Sequence, residues 1–242
     1  MIRFLPPAAS AHAADVDLVL VLVHLLMGVL FVGWSIYLGW VLVRFRARRH
    51  PQADYGGARG RAALTTEVGV VVAEVVLLVG FALPIWFRQT SAQPVTPAGG
   101  ATIVRIVAEQ FAWNIHYPGD DGEFGETSAA LISGTNPLGL DRASVHGQDD
   151  VVVVNQLHLP TGRPVVMQLS SKDVIHSFGV PAMRVKQDAI PGVLAPVWFT
   201  PTISGQYEIA CSQLCGLAHF RMRGIVTVES LEAFQAFLVS ER

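Results

Sequence analysis

The stretch LVLVLVHLLMGVLFVGWSIYLGWVLV, residues 18–43, decides the class of this protein. Its 26 residues include no charged side chain, and about 20 apolar residues are enough for a helix to cross the hydrocarbon core of a bilayer. Trp34, Tyr37 and Trp40 crowd its far end, and such aromatic residues favour the membrane surface. A buried helix of a soluble protein is the alternative, but this run exceeds the usual length of such helices. The sequence therefore predicts a transmembrane helix over 18–43.

A second apolar run, residues 68–87, predicts another span over 67–88, although it contains Glu74 and Pro84. The connecting loop, 44–66, carries six of the chain's fifteen arginines: Arg44, Arg46, Arg48, Arg49, Arg59 and Arg61. Positive charge favours the cytoplasmic side, so we expect this loop inside and both chain ends outside, with residues 1–17 forming an external N-terminal segment. A DNA-binding role for the arginine cluster is the alternative, but topology explains it more simply, and the net charge of −2 excludes a strongly basic nucleic-acid binder.

The composition changes after the second span. Residues 89–101 are rich in Pro, Gly, Ser and Thr and predict a linker. Short β-branched segments separated by turn residues then favour an all-β sandwich or barrel over 102–230. Within it, the polar stretch 118–150 is typical of a long surface loop, and helical spacing predicts a closing helix over 231–242.

The chemistry is concentrated in CSQLCGLAHFRM, residues 211–222, which offers Cys211, Cys215, His219 and Met222 within twelve residues. Soft sulfur with imidazole suits copper or zinc, and a thioether points to copper. A zinc finger would need a second ligand pair, and a mononuclear blue-copper site would need only one cysteine. A disulfide is the remaining alternative in an oxidising compartment. Two thiolates fit a dinuclear site, which needs a second histidine from elsewhere.

His176 is the best candidate for that histidine, because it lies at the end of a predicted strand and precedes a turn-like stretch that ends at Pro181. The other histidines of the outer domain lie in less defined contexts: His116, His146 and His158.

Three segments resemble cytochrome c oxidase subunit II, namely DVIHSF (173–178), DAIPG (188–192) and the cysteine motif at 211–222. The resemblance implies a membrane protein with a two-helix transmembrane hairpin followed by an all-β, cupredoxin-like Greek-key sandwich. It also implies a dinuclear copper A centre. Cys211 and Cys215 would bridge the metals, His176 and His219 would be terminal ligands, Met222 a weak thioether ligand, and Gln213 would contribute its main-chain carbonyl.

By the same resemblance the chain is the electron-input component of a respiratory oxidase in a bacterial inner membrane, with its copper domain on the periplasmic side. It would accept electrons from cytochrome c and pass them to the haem centres of subunit I. Oxygen would be reduced to water with proton translocation. The expected partners are subunit I, subunit III, cytochrome c and the lipid bilayer, with no nucleic acid. From residue 95 onward there are 14 acidic residues against 9 Lys and Arg, an excess that would attract a cationic donor.

Two positions depart from the family pattern. The family often has Glu where this chain has Gln213, whose neutral amide is a poor ligand for a hard cation, so a magnesium or manganese site using that side chain is not expected. Phe111 stands where the family has a tryptophan that takes up electrons at the surface. Trp113, two positions on and on the same face of a strand, is the other candidate.

Glu67 resembles the family's carboxylate at the cytoplasmic mouth of a proton channel, and its alternative is an ion pair with the arginine-rich loop. Other functions remain open at this point. The copper A subunit of a haem–copper nitric oxide reductase would have similar anchoring. A quinol oxidase subunit lacks the copper ligands, and a copper-delivery protein would not need two spans with paired thiolates.

Overall fold

Two long helices precede a β-domain, and the chain divides accordingly into two units: residues 14–92, and residues up to 13 together with those from 93 onward. The computed structural model describes residues 5–52, 55–56, 60–91 and 100–242. Most of the predicted linker, 92–99, therefore lies outside the described residues, as do the start of the external segment and both Asp54 and Arg59 of the basic loop.

The first helix, α1, spans Ala13–Arg44, and the second helical stretch spans Arg61–Ser91. Both are long and apolar enough to cross a membrane, and neither is buried within its unit. At 1.5 Å per residue α1 is about 48 Å long, which exceeds the roughly 30 Å hydrocarbon core. Asp15 in its first turn and Arg44 in its last turn complement the helix dipole. A helix that is apolar on every face needs lipid or a neighbouring protein around it.

The second stretch is not a uniform α-helix. It consists of α2 (Arg61–Leu77), a π-helical turn (Leu78–Ala82) and α3 (Leu83–Ser91). Pro84 has no N–H to donate to the carbonyl of Gly80, and its ring would crowd that carbonyl in a regular helix. The wider π turn immediately before Pro84 accommodates the proline ring and the missing hydrogen bond.

Ten strands and one helix build the β-domain. The strands are β1 (Thr102–Glu109), β2 (Ala112–Tyr117), β3 (Val151–Val154), β4 (Gln156–Pro160), β5 (Val165–Ser171), β6 (His176–Val180), β7 (Val185–Ala189), β8 (Ala195–Phe199), β9 (Gly205–Cys211) and β10 (Arg223–Glu229). The helix, α4, spans Leu231–Ser240, and its first turn is capped because the Ser230 hydroxyl accepts a hydrogen bond from the Ala233 amide.

The strands form two five-stranded sheets, ordered β3-β2-β1-β5-β8 and β4-β10-β9-β6-β7. Pairing is antiparallel except between β1 and β5 and between β4 and β10. Side chains from both sheets fill one apolar core, whose largest fully buried members are Trp113, Tyr117, Phe178 and Phe199. The chain crosses repeatedly between the sheets, so the predicted all-β sandwich behind two apolar helices is confirmed.

Two local predictions are wrong. His176 begins β6 rather than ending a strand, because the chain turns after β5 and starts a new strand at His176. Phe111 and Trp113 do not share a strand, because β1 and β2 pair as a tight hairpin through Glu109 and Ala112, which leaves Phe111 in the turn.

Residues 5–13 join the sandwich, a feature that the sequence did not predict. Ala9 is fully buried, its amide donates to the carbonyl of Ala182 at 2.8 Å, and its carbonyl accepts from the Thr202 amide at 2.9 Å. The Ser10 hydroxyl donates to the Met183 carbonyl at 2.7 Å. The segment is thus bound mainly through its backbone. Backbone hydrogen bonds depend little on side-chain identity, so the sequence shows no pattern that predicts them.

The core predicts a contrast between two isoleucines on paired strands. Ile209 of β9 is 0 % exposed and Ile225 of β10 is 47 % exposed. We expect Ile209→Ala to lower the free energy of unfolding of the outer domain by about 2–5 kcal/mol, because it removes buried methyl groups and leaves a cavity. Ile225→Ala should cost less than about 1 kcal/mol. Urea unfolding followed by tryptophan fluorescence measures both, and equal losses would contradict the placement of Ile209.

Candidate metal centre

The predicted ligands lie at one end of the second sheet. The β9–β10 connection, residues 212–222, follows Cys211 and holds the other motif residues, while His176 is the first residue of β6. These strands are neighbours in the order β10-β9-β6, and Phe178 lies opposite Cys211 in the register. The Ser212 amide also donates to the Ser177 carbonyl at 2.9 Å, which joins the start of the connection to β6.

The donor atoms of the six predicted ligands converge. The Sγ atoms of Cys211 and Cys215 are 3.8 Å apart, and the cysteines are free. The His219 Nδ1 lies 3.5 Å from the Cys215 Sγ, and the His176 Nδ1 lies 4.0 Å from the Cys211 Sγ. Met222 completes this side, with its Sδ 3.1 Å from the His176 Nδ1 and 3.7 Å from the Cys215 Sγ.

The carbonyl oxygen of Gln213 lies 3.2 Å from the Cys211 Sγ, whereas the residue itself is exposed. The main chain of Gln213 thus faces the donor cluster, as the resemblance implied. Among the described residues, His176, Cys211 and Cys215 are the group of His, Cys and carboxylate ligands whose donor atoms all lie within 4.8 Å of one another.

The donor set fits a soft metal centre. A sulfur–sulfur separation of 3.8 Å is far longer than the roughly 2.05 Å of a disulfide. Burial, and then the adjacent Cys211 thiol, raises the pKa of Cys215 to about 11. Two adjacent thiolates therefore need a cation to stabilise them. Six donors exceed the four that structural zinc takes, and thiolate with thioether and imidazole suits copper.

Asp173 holds His176 in place. Its Oδ1 lies 2.9 Å from the His176 Nε2, and its two oxygens accept the amide hydrogens of Gln110 and Val174, each at 2.7 Å. Although burial opposes ionisation, these hydrogen bonds hold the pKa of Asp173 below its ordinary value. An ionised Asp173 accepts the Nε2 hydrogen, which leaves the Nδ1 lone pair facing the sulfur atoms.

Asp173 and Gln110 are positioning residues that the sequence analysis did not identify. The Gln110 side-chain amide donates to the Cys215 carbonyl at 2.5 Å. Gly216 next to it leaves no room for a side chain, since a Cβ atom would lie 2.7 Å from the Gln110 Nε2. Asp173 could have been found from the sequence, because a carboxylate often supports a ligand histidine and Asp173 stands three residues before His176. Gln110 is distant in sequence and gave no signal.

The aromatic residues near the site occupy different environments. Trp113 is fully buried, with its ring centroid 6.2 Å from that of His176. It therefore cannot contact a donor protein directly, which corrects the expectation that it is a surface residue. Phe111 is partly buried, and its ring lies 3.2 Å from where a Cβ atom of Gly216 would be. Phe111 thus covers part of the β9–β10 connection, residues 212–222, which we call the cysteine loop.

Glu67 lies on α2 and belongs to the helical unit. His116, His146 and His158 each pair with a carboxylate: His116 with Asp150, His146 with Asp121 and His158 with Glu229.

Comparisons with known proteins identify the family of this chain. The sequence profile described as "Cytochrome C oxidase subunit II, periplasmic domain" matches residues 102–230. The "Alternative cytochrome c oxidase subunit 2" of Bradyrhizobium diazoefficiens is 36 % identical over 89 % of this chain and 76 % of its own length. The "Cytochrome c oxidase subunit 2" of Cereibacter sphaeroides is 32 % identical over 73 % of this chain and 60 % of its own length.

Among solved structures, the periplasmic domain of subunit II of the cytochrome oxidase of Bradyrhizobium japonicum is similar at 28 % sequence identity and a TM-score of 0.43. The likeness covers 58 % of this chain and 92 % of that one.

The support of His176 by Asp173 predicts a loss of metal affinity on substitution. We expect Asp173→Asn to weaken copper binding by about 10–100-fold, because a neutral amide oxygen accepts the Nε2 hydrogen less strongly than a carboxylate and orients the imidazole less firmly. Competition with a chelator measures the change. Asp121→Asn, which alters an exposed carboxylate paired with His146, should leave the affinity unchanged. Equal affinity in both variants would show that Asp173 does not position the ligand.

Proposed function

Because the chain belongs to the cytochrome c oxidase subunit II family, we propose that it is the electron-input subunit of a respiratory oxidase. Its copper A centre would accept electrons from cytochrome c and deliver them to the haems of subunit I, where oxygen is reduced to water and protons are translocated. Family membership makes the complex an oxidoreductase. The observation that carries the proposal is the convergence of two free thiols, two imidazoles and a thioether at one end of the sandwich.

Copper, when bound, supplies one-electron redox chemistry shared between two metals. Cys211, Cys215, His176, His219, Met222 and the Gln213 carbonyl would hold it.

This chain's own residues keep the site rigid and largely dry. His176, Met222 and Cys215 are buried. Asp173 fixes the His176 ring, and the Gln110 amide fixes the Cys215 carbonyl. Ligands that cannot move when the charge changes keep the reorganisation small, which favours fast electron transfer.

The cysteine loop carries an exposed apolar surface that supports docking of a partner protein. Leu214 is 79 % exposed, Leu217 99 % and Phe220 77 %. Clustered apolar side chains of this size are uncommon on free surfaces and mark interfaces. Together with the acidic excess from residue 95 onward, they fit a cationic donor that is steered by charge and held by apolar contact. Phe111 is the better placed aromatic for electron uptake, since it covers the loop while Trp113 is buried.

The arginine-rich loop between the two spans supports the proposed topology, because positive charge favours the cytoplasmic side. We place both chain ends on the periplasmic side of a bacterial inner membrane, and Glu67 near the cytoplasmic side as the residue that takes up protons. Subunits I and III would surround the helices.

The first test is copper stoichiometry with electron paramagnetic resonance on the full chain in detergent. We expect two coppers per chain and a mixed-valence hyperfine pattern from two equivalent nuclei, because two thiolates can bridge the pair. Cys215→Ser should abolish this pattern, whereas Ser212→Ala, next to the ligand Cys211, should keep it. One copper, zinc or a Cys211–Cys215 disulfide in the native protein would contradict the proposal.

The second test concerns the donor and the acceptor. Raising the ionic strength from about 10 to 150 mM should slow bimolecular electron transfer from cytochrome c roughly tenfold, because salt screens charge steering. Leu217→Ser should weaken docking without changing that salt dependence. A salt-independent rate would contradict an acidic docking surface. Oxygen consumption by the complex is expected, and nitric oxide turnover without oxygen consumption would contradict the proposed reaction.

A further inference from the structure

A row of polar residues crosses the outer face of the first sheet, away from the metal centre. Arg105 of β1 lies opposite Gln168 of β5 and His116 of β2 in the strand registers. Its neighbours Val104 and Ile106 point into the core, so the row points the other way. Arg105 Nε, His116 Nδ1 and Gln168 Oε1 are buried and have no hydrogen-bond partner among the described residues.

The insertion after β2, residues 118–150, covers this row. The Phe124 ring lies 4.1 Å from the Arg105 guanidinium carbon and 4.9 Å from the His116 ring centroid. The insertion is anchored by Asp150, which is fully buried and accepts a 2.5 Å hydrogen bond from the His116 Nε2. Its carboxylate also accepts the amide hydrogens of Gly119 and Gly125, each at 2.8 Å. Strand β2 is buried on both faces as a result.

The insertion leaves a pocket of about 240 Å³ between itself and the sheet. Arg105, His116 and Lys172 line one side, and Thr127, Ser128 and Ile132 line the other. We call this space the insertion pocket. It places two cationic side chains and two hydroxyl groups around one space, and the Nε of Arg105 is the donor there that has no hydrogen-bond partner among the described residues.

The charged side chains around the insertion pocket differ in how they are paired. Lys172 is paired with Glu109 at 2.5 Å and also donates to the Pro137 carbonyl. Asp150 is paired with His116, whose pKa is lowered by burial. The Arg105 guanidinium contacts the Phe124 ring, and its Nε has no hydrogen-bond partner among the described residues.

A buried donor without a partner is rare and costly, and Arg105 Nε is such a donor beside a partly enclosed space. We propose that the insertion pocket binds a small oxyanion, a carboxylate or a phosphate group, through Arg105 and Lys172 with the Thr127 and Ser128 hydroxyls as further donors. A guanidinium donates in a fork that matches either group, and the apolar side chain of Ile132 leaves room for a short carbon chain on the ligand.

Calorimetric titration of the full, copper-loaded chain in detergent tests the site. Sodium phosphate and sodium acetate serve as separate probes, at an ionic strength held constant with sodium chloride. We expect saturable binding of one oxyanion per chain, and the stronger of the two probes identifies the ligand group. Arg105→Gln should weaken that binding by about tenfold or more, because it removes charge-assisted hydrogen bonds.

Arg223→Gln is the matched control, since Arg223 is an exposed arginine of the same domain that pairs with Glu208. It should leave the affinity unchanged. Lys172→Gln is a second pocket variant that serves if Arg105→Gln lowers stability, and the copper absorption spectrum reports whether each variant is folded. The proposal fails if neither oxyanion binds saturably, if both pocket variants bind like the parent, or if Arg223→Gln weakens binding equally.

Discussion

The register among β6, β9 and β10 is the constraint on which the metal centre depends. Phe178 lies opposite Cys211, and this pairing brings the start of β6 beside the end of β9. His176 and the loop after Cys211 therefore meet at one sheet end. A slip of one residue would turn every side chain of β6 to the opposite face and would move the imidazole away from the thiols. Buried core residues such as Phe178 and Ile209 stabilise this register. They therefore help to position the predicted ligands.

The support around the ligands is built from parts of the chain that are distant in sequence. Asp173 lies in the connection between β5 and β6 and orients His176. Gln110, in the β1–β2 turn, donates a hydrogen bond to the Cys215 carbonyl. Asp173 also accepts the Gln110 amide, so the two supports are connected. The site is therefore held from the first sheet as well as from the second. Such a network would suit the proposed electron transfer, because it limits movement of the predicted ligands.

Two additions extend the plain sandwich. Residues 5–13 bind through backbone hydrogen bonds near Ala182 and Thr202, and residues 118–150 cover the outer face of β2 through the buried pair of His116 and Asp150. The first addition links the domain to the start of α1. The second covers part of the sheet face and leaves a partly enclosed pocket, and Asp150 anchors the insertion to the sheet. Neither takes part in the metal site.

The sequence by itself determined the two apolar helices and most of the metal motif. Length and composition suffice for residues 18–43, because a helix satisfies its backbone hydrogen bonds locally whatever its neighbours are. Cys211, Cys215, His219 and Met222 lie close enough in sequence for one loop to bring them together. Only the tertiary structure decided that His176 joins them, that Trp113 is buried and that the insertion encloses a pocket. These facts depend on pairing and packing between strands far apart in the chain, and the free energy of that packing is not encoded in any short stretch of residues.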